Sequence, residues 1–420
     1  MYIFLIFALI ILFLISLAKP RFGLYLILFF LPSYLVRYQF FGIPTTFLEL
    51  AIYSVFIAWF IQVFARQNLS KKTKRLYLIL KPFILPLALF FGAAIISTII
   101  SPDKRISLGV LKAWFFDPLL VLILFLDLGR RPRHIKRTIL ALFISASLIA
   151  AYGLYEYIFR VGLDSDGRLN SFFVPANYAA MFIAPILILS LVWAKRLKSK
   201  LLVTSYWLLV TTMILALYLT KSYGGWLGVF AGLFFLWMRV KIPVKRLKYL
   251  LIFAFCVILV ATVQAGSPKF GRLFDFTNRS SSGARSQIWQ TSLLIIKKHP
   301  VLGVGLGNFE AVYRETVPKV VFPPLEWLVV KPHNLYLNLW IEMGFLGLAS
   351  FFWLIFLFFK QGWRLRDDRL VKYAMAAMIV ILVHGLVDTP YFKNDLAVLF
   401  WVIAAVVVAR RRYSADEAIS

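Results

Sequence analysis

Cysteine is nearly missing from this chain. The single Cys256 lies in an apolar block, so neither an intramolecular disulfide nor a multi-cysteine metal site is available. Acid is scarce as well: 18 Asp and Glu stand against 47 Lys and Arg, a formal net charge of +29. The carboxylates are scattered, with no Asp-x-Asp pair and no carboxylate–histidine spacing of the kind that holds a metal. Strict alternation of apolar and polar residues is also lacking. That excludes a closed transmembrane β-barrel, which needs alternating segments of about ten residues. No internal repeat and no low-complexity segment is present. The first apolar block has no small-residue cleavage site and runs into Lys19-Pro20-Arg21, so it reads as a retained helix rather than a cleaved signal.

Apolar and aromatic side chains are in excess, at 61% and 17% of the chain. A soluble domain is nearer half apolar. The excess falls in blocks of about 16–25 residues separated by short basic runs, the pattern of an all-α polytopic membrane protein. Spans are expected near 1–18, 22–36, 44–65, 82–101, 113–128, 138–159, 176–194, 201–220, 223–238, 249–266, 335–359, 372–388 and 395–409. The second is short and contains Pro32; read as broken or re-entrant, it leaves twelve transmembrane helices rather than thirteen. The chain divides into N-terminal helices (1–266), a long loop (267–334), and C-terminal helices with a short tail (335–420).

The positive charge does not point to nucleic acid. Most of it clusters at Lys19/Arg21, Arg66–Lys81, Arg130–Arg137, Lys195–Lys200, Arg239–Lys248, Lys360–Lys372 and Arg410–Arg412. These runs can all lie on one side of a bilayer, which the positive-inside rule makes the cytoplasm. The C-terminus is then cytoplasmic, the N-terminal side stays open, and the 267–334 loop faces outward. Loops this long are functional or disordered, and this one carries signs of order. Apolar Ile288, Trp289, Leu293, Ile295 and Ile296 suggest an amphipathic helix over Ser286–Lys298 on or near the membrane surface. His299-Pro300 stops it, Gly303, Gly305 and Gly307 make a turn, and Pro323-Pro324 stiffens the later part of the loop.

The outer side is basic where it is charged: Arg168, Lys221, Lys269, Arg272, Arg279, Arg285, Arg314, Lys319 and Lys331. Positive charge is disfavoured on the translocated side, so the group suggests an anionic ligand there. Arg279 and Arg285 flank Ser280-Ser281-Ser282-Gly283, and a guanidinium binds phosphate with paired donors. Each of these residues also has a plain reading as solvated surface or lipid-headgroup anchor. His333 sits where the loop runs into a span. Imidazole titrates near pH ~6.5 and can take a proton from a hydroxyl at neutral pH; an interfacial ring bonded to backbone is the structural reading. Pro332 disfavours helix before it, and Asn334 suits a helix cap. Carboxylates at Glu49, Asp117, Glu156, Glu342 and Asp388 lie in or at the ends of spans, where ionisable groups draw functional suspicion. His384 and Asp388 share one helix face, as a structural bond or as support for a site. Scattered carboxylates would also serve a proton-coupled transporter.

Ser282-Gly283-Ala284-Arg285 with Trp289, His299-Pro300-Val301-Leu302-Gly303-Val304-Gly305-Leu306-Gly307-Asn308-Phe309, and His333-Asn334 with Gly344 and Gly347 together resemble the O-antigen ligase superfamily. The resemblance extends to Arg168 with Pro175-Ala176-Asn177, to Thr220-Lys221-Ser222-Tyr223-Gly224, and to His384–Asp388. It covers roughly residues 160–400. One departure stands out: the family commonly has arginine at the position of Tyr223, and here the nearest cation is Lys221.

The resemblance implies a bacterial inner-membrane glycosyltransferase with its site facing the periplasm. Its donor would be a glycan on undecaprenyl pyrophosphate, and its acceptor a hydroxyl of lipid A–core oligosaccharide or of another glycan. No metal and no other cofactor is implied. His333 and Arg285 would be catalytic. Arg168, Lys221, Tyr223, Arg279, Asn334 and Asn177 would bind substrate, with His384 and Asp388 in support. Two alternatives remain: a polymerase joining lipid-linked repeat units, and a lipid-linked oligosaccharide transporter. A transporter predicts inverted repeats and a midplane site, which the sequence does not display.

Overall fold

The computed structural model describes residues 2–40, 43–65, 67, 69–129, 131–164, 166–194, 197–240 and 280–417. The expected span 249–266, together with Lys269, Arg272 and Arg279, lies outside these residues. The other twelve apolar blocks are helical. In chain order the helices are α1 (Tyr2–Ala18), α2 (Pro20–Phe29), α3 (Phe47–Ala65), α4 (Leu69–Leu80), α5 (Ile84–Ile100), α6 (Lys104–Leu111), α7 (Asp117–Leu128), α8 (Pro132–Phe159), α9 (Asn177–Ser190), α10 (Lys200–Leu219) and α11 (Tyr223–Met238). After the long loop's first residues come α12 (Ser281–Lys298), α13 (Phe309–Thr316), α14 (Leu335–Arg364), α15 (Arg369–His384) and α16 (Asn394–Glu417). The protein is an all-α polytopic membrane protein. Among the described residues, α3, Lys104–Leu128, α8, α10 and α14 are each long and apolar enough to cross a membrane alone.

Two local features were not expected from the sequence. The basic run Arg66–Lys81 contains a helix, α4, bent by 93° from α5. Between α2 and α3 a short antiparallel hairpin pairs β1 (Arg37–Phe40) with β2 (Ile43–Thr46). Strands of four residues carry almost no periodic signal, so pattern reading passes over them.

α11 packs along α15 through small residues at four-residue spacing. A Cβ on Gly228 would come 2.8 Å from the Val380 carbonyl oxygen, and one on Gly232 would come 2.9 Å from Val380 Cγ2. Close backbone approach through small residues is how helices associate where lipid offers no hydrophobic drive. The same stripe continues to Gly224, whose Cβ would lie 2.6 Å from His384 Cδ2. α11 therefore sets where the end of α15, and the turn after it, can stand.

The outer loop folds over its own core. Ile288, Ile295 and Ile296 of α12 bury against Val304, Phe309, Tyr313, Val317, Val329 and Ile341. Each such burial stabilises by roughly 1.5–3 kcal/mol. Much of the apolar face of α12 is thus covered by protein, while Leu293 is 57% exposed.

Beneath this core the loop docks backbone to backbone on α14. At Gly344 the helix leaves helical geometry (φ 67°, ψ −172°), a region essentially reserved for glycine. Here Val304 N donates to Ile341 O at 2.8 Å and Phe345 N to Pro300 O at 3.0 Å. Gly303, at φ 74°, has no room for a Cβ, which would fall 2.5 Å from Ile341 O. Farther along, Ser107 Oγ donates to Leu306 O at 2.6 Å, and Asn308 Nδ2 donates to Ser101 Oγ. The loop is anchored to α14 and to the α5–α6 corner.

Candidate active site

The site forms where α14 begins. Asn334 caps that helix, its Oδ1 accepting from Tyr336 N and Leu337 N at 3.0 Å each, while its Nδ2 donates to Leu386 O at 2.9 Å. Leu335 N also donates to Gly385 O at 2.8 Å, so the start of α14 is fastened to the turn after α15. Trp289 Nε1 donates to Pro332 O at 3.0 Å and fixes the other side of the strand-like approach. Between these anchors His333 takes a left-handed backbone conformation, φ 47°. Such a conformation is uncommon for a non-glycine residue and persists where the surroundings over-determine it.

His333 Nδ1 faces Asp388 Oδ1 at 3.4 Å. The imidazole side chain is 35% exposed and the carboxylate 6%. From Asp388 a line of polar contacts runs inward. Asn177 Nδ2 donates to Asp388 Oδ2 at 2.7 Å, Arg168 Nη2 donates to Asn177 Oδ1, and Arg168 Nε donates to Thr220 O at 2.8 Å. Thr389 N adds a backbone donor to Asp388 Oδ1 at 3.0 Å. The buried Asp388 carboxylate is thus met by an imidazole, a side-chain amide and a backbone N–H. Burial pulls Arg168 down from its ordinary value, opposed by Asp164 and Asp166; a guanidinium nonetheless remains charged.

Arg285 lies in the first turns of α12, which Ser280 caps by accepting from Gly283 N at 2.9 Å. Arg285 Nη1 donates to Ser281 Oγ at 2.7 Å, while its Nε is buried with no partner. Its charge reaches both Asp388 and Arg168. His384 is 1% exposed, and neither ring nitrogen has a hydrogen-bond partner. Its ring stands against Gly224. Lys221, at φ 48°, donates from Nζ to Asp166 O at 3.3 Å, beside the Arg168 segment. Tyr223 opens α11 next to Gly224. The fold thus brings His333, Arg285, Arg168, Asn177, His384 and Asp388 to one place, with Lys221 and Tyr223 at its rim. Arg279 lies outside the described residues.

Lys331 is buried in an ion pair of its own. Its Nζ lies 2.5 Å from Glu342 Oε1, with the two side chains 9% and 0% exposed, and it stacks 4.8 Å from the Trp114 ring centroid. The other span carboxylates also have local partners: Glu49 pairs with Lys112 at 2.8 Å, and Tyr53 donates to Asp117 at 2.7 Å. An intramembrane carboxylate calls for a partner, but nothing in the spacing of Lys331 and Glu342 singled that pair out.

A polytopic helical bundle with a basic, histidine-bearing site under an ordered outer loop defines the class. Residues 208–352 match the model of a family described as O-antigen ligase. The matched stretch contains Lys221, Tyr223, Arg285, His333 and Asn334. Arg168, Asn177, His384 and Asp388 fall outside it and reach the site through the fold. The chain is also 27% identical over 148 residues to an uncharacterized protein of Haemophilus influenzae, covering 31% of this chain and 36% of that one. It therefore spans about a third of the length of that curated relative. The match supports a ligase- or polymerase-like function in general terms.

Proposed function

We propose that the protein is an O-antigen ligase-type glycosyltransferase working at the periplasmic face of the bacterial inner membrane. It moves a glycan from undecaprenyl pyrophosphate to a hydroxyl of lipid A–core oligosaccharide. The observation that carries this reading is the His333–Asp388 pair standing beside Arg285. With Nδ1 turned to a carboxylate, the neutral ring carries its proton there and presents Nε2 as the acceptor. The acceptor hydroxyl gives its proton to His333 Nε2 as its oxygen bonds to the anomeric carbon. The bond from that carbon to the pyrophosphate oxygen breaks, and the pyrophosphate leaves with the electron pair. Arg285, whose guanidinium has a donor left over, meets the charge that develops on it. One in-line displacement inverts the anomeric configuration, and no metal takes part in these steps. Asp388, Asn177 and Arg168 hold the imidazole in orientation, Lys221 and Tyr223 border the donor, and Asn334 acts by capping α14.

The test is transfer by the purified protein from a defined polyprenyl-pyrophosphate glycan, offered either lipid A–core or a second lipid-linked repeat. Glycosylated lipid A–core is the expected product. A lengthened lipid-linked chain instead would make the protein a polymerase. Translocation in vesicles with no transfer to either acceptor would overturn the enzyme reading.

A further inference from the structure

A second polar concavity lies at the opposite, basic end of the bundle. It is a cleft of ≈ 640 Å³ among the ends of α1, α3 and α7 and the starts of α2 and α8, with α4 alongside. Five cations line it: Lys19, Arg21, Lys72, Arg131 and Arg137. Its one carboxylate, Asp127, is already saturated by Lys72 at 2.7 Å, Arg75 at 3.4 Å and Trp59 Nε1 at 2.9 Å. No carboxylate among the described residues pairs with Lys19, Arg21, Arg131 or Arg137. The positive-inside rule explains cations at this end. It does not explain their convergence on one concave site whose only acid is spent.

The helix ends sharpen the imbalance. α2 and α8 both begin at the cleft, each with proline in its first turn and neither with a side-chain cap. Lys19 and Arg131 occupy the cap positions themselves. A helix N-terminus carries partial positive charge and favours anions, so cations at two such ends repel the fold unless an anion sits between them. Tyr25, held by His134 Nδ1 at 2.9 Å, and the indole of Trp59 give the wall hydrogen-bonding and apolar surface. The volume falls in the range of small-ligand sites.

We propose that this cleft binds phosphate, carried by an anionic lipid headgroup or by a soluble phosphate compound. Guanidinium groups not paired with a carboxylate are the residue type suited to it. The site is separate from the transfer site and does not depend on that reading. Native mass spectrometry of the full-length protein, with phosphatidylglycerol or phosphatidylcholine supplied, reads lipid retention. A thermal shift with inorganic pyrophosphate reads the soluble source. Both are run in an Arg285→Ala background, to silence the other end of the molecule. The expected result is retention of phosphatidylglycerol over phosphatidylcholine, or a rise in Tm with pyrophosphate, lost about tenfold or more in Arg21→Gln/Arg137→Gln. The exposed Lys19→Gln variant, which leaves the packing alone, should lose a smaller part of the same signal. Selective lipid retention assigns the headgroup; a pyrophosphate shift without it assigns the soluble compound. No preference for either phosphate source, or signals unchanged in both sets of variants, would overturn the proposal.

Discussion

Two stretches of the long loop work in opposite ways. The glycine-rich segment 300–308 presents mostly main chain: its contacts run through the amides and carbonyls of Pro300, Val304 and Leu306. The segment around His333 presents side chains, joined through Asp388 and Asn177 to Arg168. The first has almost nothing that could move a proton or hold a phosphate. The second has little packing of its own and borrows its rigidity from Trp289, Asn334 and the docked loop. Residues equally visible in a motif can therefore be divided by what they spend: backbone contacts build the platform, and side-chain contacts equip it.

Substitutions can break this division from either side. The largest effect is expected from His333→Ala, which should slow transfer by about 10²–10⁴-fold while leaving the melting temperature of the purified protein in place. Full activity in that variant would remove the histidine from the chemistry. Glu342→Gln attacks the platform: it leaves Lys331 buried without its counter-charge, at a cost of about 3–5 kcal/mol, and should appear as a lowered unfolding midpoint. An unchanged midpoint would mean the pair is not buried as described. Gly344→Ala should cost about 1–3 kcal/mol in backbone strain, and more because its Cβ meets the Val301 carbonyl. Proteolysis of the outer loop should accelerate with it, and equal protease resistance would argue against the docked loop. The smallest effect belongs to Trp289→Phe, which removes one hydrogen bond worth about 0.5–1.5 kcal/mol. Because that bond ends at Pro332, transfer should fall further than stability does; equal losses would make the tryptophan a platform residue only.

The sequence made some of this legible and hid the rest for identifiable reasons. Helical spans were readable because apolar blocks of that length have few other outcomes. Asn334 as a cap was readable because capping is a local rule. The convergence of Arg168 and Asn177 with Asp388 was readable only through the family resemblance, since more than 200 residues of chain separate Asn177 from its partner. The Lys331–Glu342 pair stayed hidden: each charge had its own plausible reading, and only the fold of the loop turns one toward the other. The filling of the α12 face by loop residues stayed hidden too, because an apolar stripe reads the same whether lipid or protein covers it.

The break at Gly344 divides α14 into two pieces with different allegiances. The stretch 335–343 carries Ile341 into the loop's core and begins at the Asn334 cap. The stretch beyond Gly344 packs against α5 within the bundle. Leu335, Leu339 and Met343 nevertheless join the bundle core, and Leu335 N bonds to Gly385 O beside Asp388. One short stretch of helix is therefore shared by loop and bundle, and it holds the imidazole and the carboxylate in a common frame.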